Sequence, residues 1–221
     1  MNILVQPIEA FFEFIRVSII GMITNDPNIS YGLAIIVLTI IVRLLLLPLT
    51  LKQTKSMSKM TEIQPELKKL QDKYKNDPQR LNQETMKLYK EHGANPMSGC
   101  LPLLIQMPII IALFTVFREL QGIENVGFVL TPWIKSLAVP DPYFILPVAS
   151  AVLTFLSMKL SSAGTGNAQM GTMNIVMTAF ILYVSLKFSA ALLLYWVINN
   201  LIQLLQTFII KKMKKSEPTK A

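Results

Sequence analysis

One arginine stands where a charged side chain is costly. Arg43 is the only charged residue in the apolar stretch from Tyr31 to Leu51. An ionised group near the centre of a membrane helix costs on the order of 2.5 to 3.5 kcal/mol on insertion scales, so we interpret Arg43 as a functional residue that needs a partner. The alternative is that its guanidinium reaches along the helix to the membrane surface near Lys52.

Uncharged polar side chains occur at comparable depth in three apolar stretches. Thr39 precedes Arg43 by four residues and therefore shares its helix face. Gln106 lies midway along a second stretch. In the third stretch, spacings of three, four and seven place four residues on one face: Trp196, Asn199, Asn200 and Gln203. For the two asparagines and Gln203, simple hydrogen bonds between helices are the alternative role.

The apolar stretches contain no Asp or Glu that could act as a counter-ion for Arg43. We therefore expect it to meet water, carbonyl groups, phosphate or an acidic client. The chain has no paired carboxylates in these stretches and no metalloprotease or phosphate-loop motif. Its single cysteine and single histidine disfavour a disulfide framework and a zinc cluster. The sequence thus predicts no enzymatic activity, no metal and no cofactor, but a site that solvates polar chain.

The composition indicates an integral membrane protein. Of 221 residues, 52% are hydrophobic and 15% charged, and the mean hydropathy is +0.47. A helical span needs about 20 apolar residues. We predict an all-α polytopic membrane protein with five transmembrane helices, the last two separated near Lys187 to Ser189: residues 30–53, 95–118, 141–159, 173–187 and 189–210.

The remaining segments are predicted to lie at the membrane surface or in the cytoplasm. Residues 1–25 are expected to form an amphipathic helix in the outer interface, with a sixth span as the alternative, because apolar residues recur at helical spacing: Leu4, Ile8, Phe11, Phe12, Ile15 and Ile19. Residues 54–92 are predicted to form an antiparallel helical hairpin in which Asp77 caps the second helix. Residues 160–172 are expected to be a flexible cytoplasmic loop, and residues 211–221 a basic tail.

Basic residues predict the orientation in the membrane. With Arg43 set aside, the predicted cytoplasmic segments hold sixteen Lys or Arg and the outer segments hold four. The N-terminus is therefore expected outside a bacterial plasma membrane and the C-terminus in the cytoplasm. Two clusters are candidate contacts for anionic lipid, a ribosome or a client, with a solvated surface and a membrane anchor as alternatives: Lys68, Lys69, Lys73 and Lys75, and Lys211, Lys212, Lys214 and Lys215.

Three strings of the sequence resemble the YidC family of membrane protein insertases. They are T-I-I-V-R-L-L-L-L-P-L-T at residues 39–50, N-P-M-S-G-C-L-P-L-L-I-Q-M-P at 95–108 and Y-W-V-I-N-N-L-I-Q at 195–203. The resemblance implies a five-span core around a hydrophilic groove that opens to the cytoplasm and the lipid. It also implies that Arg43, Thr39, Gln106 and Trp196 line that groove or contact the client, while Asn199, Asn200 and Gln203 are added by their position on the helix face.

The resemblance further implies a protein that inserts small membrane proteins without ATP, alone or beside the Sec translocon. Expected partners are nascent membrane proteins, lipid and, less specifically, a ribosome; a monomer would suffice. A membrane scaffold or assembly factor is the main alternative. A small channel or transporter is disfavoured because the outer halves of the spans, such as residues 33–38 and 109–113, are apolar throughout.

Overall fold

The computed structural model describes residues 2–94, 101–161 and 168–216. Every regular element in these ranges is helical, so the prediction of an all-α chain is confirmed there. The α-helices of these ranges are α1 Asn2–Phe14, α2 Pro27–Leu45, α3 Leu47–Glu62, α4 Gln64–Lys73, α5 Pro78–Glu91, α6 Leu101–Glu119, α7 Ile145–Ser161, α8 Ala168–Ser185 and α9 Ala190–Ser216.

Two of these helices are long and apolar enough to cross a bilayer by length and composition. They are α2 and the Ala190–Ile210 part of α9, with mean hydropathies of 2.0 and 1.5. Shorter apolar helices cover Ile145–Leu160 and Asn174–Ser185. For α6, the predicted start at Asn95 and Pro96 lies outside the described residues. The count of five spans therefore stays a prediction.

The predicted first span, residues 30–53, is divided in the structure. α2 begins earlier, at Pro27, because the Asp26 carboxylate accepts a hydrogen bond from the Asn28 amide at 2.9 Å and caps the helix. It ends at Leu45, and α3 starts at Leu47 with Pro48 in its first turn. Proline has no N–H to donate, so the hydrogen-bond ladder is interrupted at this point.

The N-terminal segment departs from the expected apolar stripe. Phe12 and Ile15 are fully buried, but Phe11 and Ile19 are 38% and 39% exposed. For Ile19 the reason is that α1 changes into a π-helical turn at Ile15–Ile19, which rotates the residues within and after it away from the α-helical face. Phe11 precedes this turn and lies at the edge of the buried face of α1. The side chain of Leu4 lies outside the described part.

α9 is the central helix of the bundle and packs against α7, α2 and α6. Its first turn has no side-chain cap of its own; instead the Ala190 and Ala191 amides donate to the Val139 and Leu137 carbonyls at 2.8 and 2.9 Å. These carbonyls belong to the irregular segment between α6 and α7. The turn between α8 and α9 occupies residues 186–189.

The core around α9 is aromatic at one end. The rings of Phe12 and Phe117 meet edge to face with centroids 5.8 Å apart, and Phe12 also contacts Tyr31. Such pairs add about 0.5 to 1.5 kcal/mol to the burial of apolar area. The N-terminal helix is thereby packed against α6 and α2 rather than lying free.

α4 and α5 fold back on each other. The Asp77 carboxylate accepts from the Arg80 amide at 3.0 Å and caps α5. Leu67 and Leu88 are buried between the two helices. At the base of the hairpin, Met60, Ile63 and Ala94 form a separate small core against Tyr89.

Candidate functional site

Arg43 lies inside the bundle, where α2 packs on α9. Its side chain is only 6% exposed. The guanidinium Nη2 donates to the Asn199 carbonyl oxygen at 2.8 Å and to Gln203 Oε1 at 2.9 Å. The structure thus brings together Arg43, Asn199 and Gln203, three of the residues expected in the groove. The helical spacing in α9 predicted that Asn199 and Gln203 share one face. It did not predict that Arg43 would bond to the backbone oxygen of the first and the side-chain oxygen of the second.

The charge of Arg43 is solvated by neutral oxygens. None of the carboxylates in the described ranges forms an ion pair with it. Its Nε is buried and has no hydrogen-bond partner among the described atoms. A buried cation without a counter-ion is costly unless its donors are satisfied. Arg43 therefore keeps both a full charge and an unused donor, which together favour an anionic ligand.

Thr39 lies one turn before Arg43 and is fully buried. Its hydroxyl donates to the Ile35 carbonyl of the same helix at 2.6 Å. Because the single O–H is used within α2, the Thr39 oxygen can act only as an acceptor toward other groups.

Gln106 pairs with an aromatic residue that the sequence analysis did not single out. Its Nε2 donates to the Tyr195 hydroxyl oxygen at 2.7 Å. Tyr195 is fully buried and precedes Asn199 by four residues, so it faces the same side of α9. The four-residue spacing to Asn199 could have indicated a polar role for Tyr195, but tyrosine in an apolar helix is also typical of core packing.

Trp196 bonds to α7 and Asn200 bonds within α9, and neither makes a hydrogen bond to Arg43 among those of the described residues. The Trp196 indole Nε1 donates to Thr154 Oγ1 at 3.3 Å. Asn200 Nδ2 donates to the Trp196 carbonyl at 2.9 Å, a bond within α9. Six of the seven expected groove residues thus fall into three local arrangements, while the Thr39 hydroxyl bonds within α2.

α7 carries a row of small hydroxyls that sequence reasoning missed. Ser150, Thr154 and Ser157 are buried and follow one another at offsets of four and three. The first two hydroxyls donate to carbonyls of their own helix. Ser157 Oγ is buried with no partner in the described ranges. Only the spacing could have indicated this row, since Ser and Thr are common in membrane helices.

The lysine cluster of the hairpin is exposed. Lys68, Lys69 and Lys73 lie on α4, and Lys75 lies in the turn that follows it. Lys73 and Arg80 are also placed over the ring of Tyr74, at 5.1 and 5.5 Å from its centroid. In the tail cluster Lys212 is exposed, while the side chains of Lys211, Lys214 and Lys215 lie outside the described part. Within the described ranges, no group of His, Cys, Asp and Glu could hold a metal ion.

Comparison with known proteins connects this arrangement to a family. The sequence model of the 60Kd inner membrane protein family matches residues 22–217. A membrane protein insertase YidC of Clostridium perfringens is 47% identical, over 100% of this chain and 99% of its own length. The YidC of Clostridium tetani is 46% identical, over 97% and 96% of the two chains. Membrane protein insertase MisCA of Bacillus subtilis is 42% identical, over 93% and 79%.

A solved structure also matches. It is described as an active YidC insertase with the first transmembrane domain resolved, and it superposes with a TM-score of 0.70 at 30% identity. The match covers 94% of this chain and 46% of that one, so this chain spans about half the length of the solved protein. The nearly full-length matches to curated relatives and the shared fold lead to one conclusion: the chain belongs to the 60Kd inner membrane protein family, the YidC family of membrane proteins.

Proposed function

We propose that this protein inserts small membrane proteins into the bilayer, with the Arg43 cluster as the place where a polar client segment is held. The observation that carries the proposal is a buried guanidinium that, within the described residues, meets only neutral oxygens and has no partner for its Nε donor. Such a group attracts an acidic segment and lowers the cost of bringing polar chain into an apolar surrounding.

The driving force would come from the client itself. Burying a hydrophobic segment in lipid contributes about 25 cal/mol for each Å² of apolar surface. The protein then has only to hold the short hydrophilic tail while that segment moves into the lipid. No nucleotide and no bond breaking are needed, which agrees with a site built from Arg, Thr, Gln, Asn, Trp and Tyr.

We also propose the arrangement in the bacterial plasma membrane. The unequal distribution of Lys and Arg supports an outer N-terminus, a cytoplasmic hairpin and a cytoplasmic C-terminus. Arg43, Thr39, Gln106, Trp196, Asn199, Asn200 and Gln203 are proposed to line the groove. One copy contains this whole set, so we propose that a monomer is active, with the Sec translocon and the ribosome as optional partners.

The test is insertion into liposomes made from purified lipid. A single-span client with an acidic N-terminal tail is added to liposomes that contain the full-length protein and to empty liposomes, and protease protection of the tail is measured. The proposal expects protection only when the protein is present. Equal protection in both samples would contradict it and would favour the scaffold alternative.

A further inference from the structure

We propose that Gln203 is an internal competitor that occupies Arg43 until a client carboxylate displaces it, and thereby sets how acidic a client tail must be. The inference deepens the proposed function and rests on it. It assigns to Gln203 a role in specificity that goes beyond lining the groove.

The two oxygens that meet Arg43 differ in how easily they can leave. The Asn199 oxygen belongs to the backbone of α9, and it could move away only if the helix unwound. The Gln203 oxygen is at the end of a half-buried side chain with rotatable bonds. Gln203 is therefore the partner that a ligand can replace without disturbing the fold.

The guanidinium is only partly used in the resting protein. Its Nη2 is engaged, while its Nε is buried and free within the described part of the chain. Nε and Nη2 form one edge of a planar group, and that edge matches the two oxygens of a carboxylate. One amide oxygen satisfies half of this edge, whereas a carboxylate satisfies both donors and adds the opposite charge.

A second glutamine offers a hydrogen-bond acceptor for the Gln203 amide once it is displaced from Arg43. Gln206 Oε1 is buried and has no hydrogen-bond partner among the described atoms. Gln206 follows Gln203 by three residues and therefore lies on a neighbouring part of the same face. A rotated Gln203 amide can donate to this oxygen, so displacement exchanges one hydrogen bond for another.

The experiment measures insertion against tail acidity for four full-length proteins in liposomes. These are the wild type, Gln203→Ala, Gln203→Glu and a control, Leu205→Ala, at a residue that is 54% exposed. Clients differ only in carrying no, one or several aspartates in the tail. Protease protection is the readout, and far-UV circular dichroism confirms that each variant is folded.

Removing the competitor should favour weakly acidic clients. Gln203→Ala is expected to raise insertion of the single-aspartate tail by roughly tenfold, the worth of one hydrogen bond to a charged group. Gln203→Glu is expected to pair internally with Arg43 and to lower insertion of acidic tails below the wild-type level. Neutral tails and Leu205→Ala should behave as the wild type does.

Two results would overturn the inference while leaving the proposed function intact. One is a change of equal size for acidic and neutral tails in both Gln203 variants. The other is a loss of acidic-tail insertion in Gln203→Ala, which would make Gln203 a support for Arg43 and not a competitor. If the wild type does no better than empty liposomes, the proposed function fails and the inference fails with it.

Discussion

Arg43 on α2 and Gln203 on α9 are separated by 160 residues in the sequence, yet the guanidinium Nη2 and the amide oxygen lie 2.9 Å apart. This contact joins the one charged residue of α2, which lies in its last turn, to a neutral side chain. A carboxylate at position 203 would have balanced the charge permanently. Because glutamine is neutral, the positive charge of Arg43 can still pair with an acidic client segment, as the proposed function requires.

The packing of Phe128 against Gly32 leads to a prediction about stability. A Cβ at residue 32 would overlap the Phe128 ring. Gly32→Ala should therefore force the ring and its segment to move, at a cost of about 1 to 3 kcal/mol. Thermal unfolding in detergent measures this cost. Gly171→Ala in α8 is the matched control, because nothing lies within 4 Å of its added Cβ; an equal loss in both variants would contradict the prediction.

Asp141 is a second point of support for the segment between α6 and α7. It is 1% exposed, and it accepts from the Trp133 indole, the Tyr143 amide and the Leu146 amide. Asp141→Asn would present an N–H to one of these donors and should cost about 1 to 3 kcal/mol. Trypsin cleavage at Lys135 should then become faster. Unchanged cleavage relative to Glu124→Gln, an exposed control, would show that the carboxylate is dispensable.

The exposed lysines of the hairpin should bind anionic lipid. Replacing Lys68, Lys69, Lys73 and Lys75 by glutamine is expected to remove about 1 kcal/mol of attraction for each lysine that reaches the membrane surface. The measurement is the quenching of a dye on the hairpin when anionic vesicles are added, compared at low and high salt. The four arginine replacements keep the charge and should keep the signal. Insertion of clients should survive the glutamine changes; its complete loss would favour the scaffold alternative.

Tyr89 gives the hairpin base a dependence on alkaline pH. Burial raises the pKa of Tyr89 above its ordinary value of 10.0, so the folded state favours the protonated phenol. The stabilisation is present below pH 10 and is lost as the pH rises through the higher folded pKa. Tyrosinate absorbance of the wild type minus that of Tyr89→Phe should show ionisation above pH 10. A difference curve centred at or below pH 10 would contradict this.

The polar faces of α2 and α9 could be predicted from the sequence, because helical spacing alone places Thr39 on one face with Arg43 and Asn199 on one face with Gln203. The atoms in contact could not, because they depend on how the two helices pack. Tyr195 was missed since its spacing fits both a core residue and a polar site. The π-helical turn at Ile15–Ile19 was missed because apolar periodicity assumes a constant rotation per residue.

The segment between α6 and α7 was the least predictable part. Its residues have no helical or alternating pattern. The Asp141 contacts, and the hydrogen bonds that the first amides of α9 donate to the Val139 and Leu137 carbonyls, are set by tertiary structure. The apolar run that contains Pro48 predicted one continuous span over residues 30–53. In the structure the missing N–H outweighs that pattern, and α3 begins as a separate helix.

The most direct test of the account compares Arg43→Ala and Arg43→Lys with the wild type, using one client whose tail is acidic and one whose tail is neutral. Arg43→Ala should reduce protease protection of the acidic tail by about tenfold or more, since a charge-assisted pair is lost, and should spare the neutral tail. Arg43→Lys should retain much of the activity. Equal loss for both tails in Arg43→Ala would contradict charge attraction as the function of this site.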